Sequence, residues 1–121
     1  MKWYVPLFLL AVPLALAAQT APPLACPAGE HDFLRINIYN GTPGGQEYDL
    51  APDSERKSGH KMAQVWNLKD YRSMPIFVRC RYRGTDAATN VNVPAEYRKC
   101  RFTFELDKNN EIAGKPEFSC K

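Results

Sequence analysis

Histidine is scarce in this sequence, with two in 121 residues. A hydrolase relay needs a base beside a nucleophile and an orienting acid. His31 and His60 each lie in or next to a polar loop, and Ser54, Ser58, Ser73 and Ser119 occur in no GxSxG context. No CxxC is present, and neither histidine stands at zinc spacing from a cysteine, so no metal site is expected. P-loop, dinucleotide, EF-hand and HExxH patterns are missing, so no cofactor is expected either. None of the thirteen acids sits in an apolar run, the setting that a glycosidase acid requires. No apolar run of 18 residues follows residue 18, so the mature chain is expected to be soluble, without a transmembrane segment. Catalytic residues are therefore not assigned, and enzyme activity is not expected.

What is present begins with a targeting segment. Met1 and Lys2 form a short positive start, and Trp3 to Leu16 is apolar, broken by Pro6 and Pro13. Ala15-Leu16-Ala17 fits the small-x-small rule, with cleavage before Ala18, or before Gln19 after a one-residue shift. Residues 1–18 are read as a signal peptide and 19–25 (QTAPPLA) as a Pro-rich extended N-terminus. Residues 26–121 are read as a single disulfide-stapled β domain. Leu24-Ala25-Cys26 faintly resembles a lipobox, but Pro23 stands where leucine is wanted, so lipid anchoring through Cys26 is not expected. With 45% hydrophobic and 24% charged residues, the remainder is expected to fold as one small globular unit.

Four cysteines, Cys26, Cys80, Cys100 and Cys120, all follow the leader. An even count in a small exported chain reads as two disulfides, and four cysteines allow three pairings. Asp107-Lys108-Asn109-Asn110 is a turn cluster between CRFTFEL and PEFSC. Folding back there places Cys100 opposite Cys120, which leaves Cys26 for Cys80.

Apolar residues alternate with period two rather than 3.6. In 33–39 (FLRINIY), Leu34, Ile36 and Ile38 share a face, with Phe33 and Tyr39 partly covered. Asn40 to Gly45 is a turn cluster, and 46–60 reads as a surface loop anchored by Tyr48 and Leu50. Further strands are expected at 61–68, with Trp66 in the core, and at 76–83, with Ile76, Val78, Cys80 and Tyr82 inward. Others are expected at 89–94, 100–106 and 115–120. Weak helical turns are read near 51–58 and 94–98. The expected fold is an all-β antiparallel barrel or sandwich of about six short strands, with a small α+β domain as the alternative.

Charge is unevenly placed. Residues 72–101 carry seven basic and two acidic side chains, whereas 19–71 carry five basic and seven acidic. Arg79, Arg81 and Arg83 recur at every second residue and so line one face of a strand. They read either as a basic ridge for an anionic partner or as a solvated face paired to neighbouring carboxylates. With Tyr48 and Asp53 from the 40–60 loop they are the candidate binding residues. Nucleic acid is not expected as a partner, since no basic stripe carries exposed aromatics.

The ordered runs Cys26, Tyr39-Asn40-Gly41-Thr42-Pro43, Leu50-Ala51-Pro52-Asp53 and Val65-Trp66-Asn67-Leu68 are followed by Cys80-Arg81-Tyr82-Arg83-Gly84-Thr85, Val93-Pro94, Cys100 and Cys120-Lys121. Together they resemble a family of small secreted proteobacterial proteins of unknown function, catalogued after a Salmonella Typhi locus tag. One departure is Asn40, where aspartate is expected; both suit a turn. The resemblance implies a bacterial envelope location, periplasmic or secreted, and brings no activity and no catalytic residues. The reading favoured is a periplasmic protein-binding module, an inhibitor or immunity protein against a cell-wall-directed enzyme. Its partner would be an envelope or effector protein. The alternatives are an accessory envelope protein that binds lipid or glycan, and a small hydrolase dependent on His60.

Overall fold

The computed structural model describes residues 21–121 together with Pro6, so the leader boundary lies outside the described residues. The described residues form eight strands: β1 Phe33–Gly41, β2 Glu47–Asp49, β3 Ser54–Ser58, β4 Lys61–Asn67, β5 Ile76–Tyr82, β6 Ala88–Asn92, β7 Lys99–Leu106 and β8 Ile112–Cys120. They make two antiparallel sheets, ordered β2-β1-β5-β6 and β3-β4-β7-β8. Each sheet is built from two hairpins, and the chain crosses between sheets after β2, β4 and β6.

One core fills the space between the sheets. Ile36, Ile38, Ile76, Val78 and Cys80 come from the first sheet, and Trp66, Cys100, Phe102, Phe118 and Cys120 from the second. These residues sit at alternate positions, as the period of two requires. Trp66 is buried and donates its indole N–H to the Leu50 carbonyl at 2.8 Å, which fixes the chain between β2 and β3. Both disulfides pair as the hairpin argument expects, Cys26–Cys80 and Cys100–Cys120. The second links directly opposed residues of β7 and β8. Asp107 closes that hairpin, its carboxylate accepting the Asn109 and Glu111 N–H groups at 2.8 and 3.0 Å. Asn110 takes a positive φ of 60° in the same turn, a conformation that asparagine tolerates.

Several expectations are corrected. The 46–60 segment is not a loop but holds β2 and β3. All five residues of β3 are exposed, and the strand is an edge held by its ladder to β4. Backbone pairing of that kind leaves no apolar alternation to read. The helical turn expected near 51–58 is therefore strand. The one near 94–98 is a turn, closed by Tyr97 N–H on the Pro94 carbonyl. The only helical element among the described residues is a 3-10 turn at Leu68–Tyr71. Tyr48 is no anchor: it is 53% exposed on the edge strand β2. Leu34 lies within a bulge between Phe33 and Arg35, which resets the alternation. Phe33 takes the inward position instead and meets Phe102 edge-on at 6.0 Å.

Candidate functional site

Inward packing of Ile36, Ile38, Ile76, Val78 and Cys80 turns the intervening residues of β1 and β5 outward. Register then sets them in rows: Tyr39 beside Phe77, Asn37 beside Arg79, Arg35 beside Arg81. On β6, Asn92, Asn90 and Ala88 continue these rows. On β2, Asp49 lies beside Tyr39, and Glu47 lies beside Gly41. The hairpin that brings Glu47 back turns at Gly41, whose φ is 123°, and a Cβ there would overlap the Gln46 carbonyl oxygen.

The centre of this face is fixed. The Tyr39 and Phe77 rings stack at 5.1 Å with 18° between planes. The Arg79 guanidinium lies over both, 4.9 Å from the Tyr39 centroid and 5.5 Å from that of Phe77. Arg79 Nη2 donates to both Glu47 carboxylate oxygens at 2.7 Å, and Nε donates to Asn90 Oδ1 at 3.0 Å. Hydrogen bonding to Glu47 raises the Arg79 pKa above the ordinary arginine value, outweighing the opposing effect of burial; the charge of Glu47 and Tyr39 add to it. The same cover explains why Phe77, though outward in register, is only 1% exposed.

The three arginines of the strand thus have three environments. Arg79 is held by Glu47. Arg83 lies just past β5 and donates to the Ile112 and Gly114 carbonyls of β8 at 3.2 and 3.3 Å, tying one sheet to the other. Arg81 is half-buried and stands directly across from exposed Arg35. Among the described residues no carboxylate lies within 4 Å of either. They line a groove of about 420 Å³, with Leu34, Tyr82, Thr85 and Asp86 forming the rest of its wall. Arg35 is the residue that sequence reasoning missed. It lies 46 positions from Arg81, and only the strand register, bulge included, brings the two together.

The other two candidates lie apart from this face. Tyr48 projects from the edge strand. Asp53 is engaged in the fold: its Oδ2 accepts the Asn67 N–H at 2.6 Å, and its own N–H bonds the Val65 carbonyl. His31 and His60 are both exposed. Among the described residues no group of three or more histidines, cysteines and acids is placed to hold a metal ion. No helix among them is long and apolar enough to cross a membrane.

A protein-family model described as Type VI secretion system Tli immunity protein matches residues 28–121, a span that includes all eight strands. An uncharacterised 16.3 kDa protein from the trpG 5′ region of Azospirillum brasilense is 26% identical over 126 residues. That alignment covers 90% of this chain and 83% of the relative. No solved structure matches the chain.

Proposed function

The chain belongs to the Type VI secretion system Tli immunity protein family, and on that premise we propose that it protects its cell by binding a secreted effector in the periplasm. The observation that carries this reading is the family match across the whole β domain. Two further features support it. Both disulfides belong in an oxidising compartment, and the apolar segment at 3–16 supplies a route there. The sheet face around Arg79 is rigid before any partner arrives, so little ordering entropy is lost on association.

Binding alone suffices for such a role. An immunity protein needs no turnover, only a complex that lasts as long as the effector is present. The test is survival. Type VI effectors of the producing organism are sent one at a time to the periplasm of a sensitive host, with the full chain or with a chain lacking residues 1–18. The full chain is expected to rescue growth against one effector, and the shortened chain is not. Equal rescue by both would overturn the periplasmic assignment, and rescue by neither against any effector would overturn the proposal as a whole.

A further inference from the structure

We propose that Arg35 and Arg81 form a two-pronged clamp for a carboxylate-bearing loop of the effector, with the Arg79 row as the flat platform beside it. The inference rests on the immunity reading and identifies the surface and the chemistry of the partner.

Like charges directly opposed on neighbouring strands are destabilising. The fold engages the two neighbouring arginines, giving Arg79 on β5 a carboxylate and Arg83 just past it two carbonyls. It leaves Arg35 and Arg81 face to face with no carboxylate within 4 Å among the described residues. Of the arginines on β1 and β5, these two are left without a carboxylate contact, side by side at the end of the strands away from Glu47. Two guanidinium forks side by side suit carboxylates, which they bind in a bidentate manner. The groove beside them, about 420 Å³, has room for one or two side chains of a loop. Leu34 and Tyr82 give it apolar walls, and Thr85 offers a hydroxyl. A phosphodiester headgroup carries the same single charge as a carboxylate, so the choice of an acidic protein loop over a lipid rests on the immunity reading, whose partner is a protein. Arg79 lies two residues before Arg81 on the same face and is already immobile, so a partner docking there meets a preformed surface.

This arrangement makes an unusual prediction: function and stability move in opposite directions. Arg35→Glu replaces a repulsive pair with an attractive one, so its melting temperature should be equal to or above that of the wild type, while its binding falls. The probe is the effector identified by the survival assay, titrated as purified protein at low and at 0.3 M salt. Arg35→Glu with Arg81→Glu should weaken binding by about 100-fold and flatten the salt dependence of association. Arg56→Glu, on the outer face of the opposite sheet, should bind like the wild type. An effector variant with its contacting acids changed to lysine should regain affinity for the double variant. Unchanged binding by a folded double variant would overturn the clamp and leave the immunity reading standing. Loss of binding to anionic phosphatidylglycerol vesicles, but not to the effector, would overturn it in favour of a lipid site. Failure of the wild type to bind any effector would overturn both.

Discussion

At the residue scale, Arg79 does two things at once. Its charge is answered by Glu47, and its flat guanidinium roofs Phe77 and Tyr39. Replacing it with alanine removes an ion pair in which one guanidinium nitrogen reaches both carboxylate oxygens, between side chains only 18% and 23% exposed, and uncovers an aromatic ring. Arg79→Ala should therefore cost about 2 kcal/mol in a denaturant titration. Arg79→Lys should recover less than half of that, since lysine has neither the fork nor the plane. The raised pKa fixes the pH behaviour of this contribution. A group whose folded value lies above its unfolded value stabilises fully below the unfolded value and loses that contribution as pH rises through the folded one. For Arg79 both values lie at strongly alkaline pH, so the difference between wild type and Arg79→Ala should not change across neutral pH as far as this group is concerned. Arg72 shows the opposite balance. Burial lowers its pKa, Glu96 partly offsets this, and its guanidinium donates to the Val93, Pro94 and Tyr97 carbonyls. It closes the turn that sequence reading took for a helix.

At the scale of elements, the segment before the first strand is the most instructive. Leu24 exchanges two backbone hydrogen bonds with Cys120, both 2.9 Å, and so adds a residue of pairing beside β8 of the second sheet. Cys26, two residues on, is bonded to Cys80 in the first sheet. The hydroxyls of Tyr97 and Tyr82 donate to the Pro22 and Pro27 carbonyls at 2.6 Å, holding the segment on either side. Residues 22–27 are thus a strap across the two sheets, held by the disulfide, the Leu24 backbone pair and two tyrosine hydroxyls. Hydrogen exchange should show it. With Cys26 and Cys80 both changed to serine, the Leu24 amide should exchange near the solvent rate while the β7–β8 ladder stays protected. Equal protection of Leu24 in both proteins would assign the strap to the tyrosines instead. Elements of this kind mark the limit of sequence reading. Alternation revealed β1, β4, β5 and β7, because each buries one face. The turn at 107–110 gave the disulfide pairing. Edge strand β3 and the pairing of the strap with β8 were not legible, because backbone bonds hold them and leave no side-chain pattern to read. The candidate face was half legible: Arg79 and Arg81 share a strand and declare themselves, but Glu47 and Arg35 reach them only through pairing across 32 and 46 residues.

At the scale of the whole molecule, the question is how a domain of about a hundred residues remains folded while carrying an uncompensated arginine pair on its surface. Domains of this size have roughly 5–15 kcal/mol of stability to draw on. The two disulfides close segments with sequence separations of 20 and 54 residues. By the chain-entropy argument they contribute about 3 and about 4 kcal/mol. That is comparable with the smaller end of the whole, so the fold depends on the compartment in which it forms. The domain should unfold, or lose most of its thermal margin, when it is made where thiols stay reduced. The measurement is a thermal melt of residues 19–121 with and without reductant, where a fall of more than about 15 °C is expected. The same dependence bears on the survival assay. A leaderless chain could fail because it is in the wrong place or because it is unfolded. Expression of that chain in a host with an oxidising cytoplasm separates the two: it should accumulate folded and disulfide-bonded and still give no protection. Protection in that host would mean that the effector is met in the cytoplasm, with oxidation needed only to hold the binding face together.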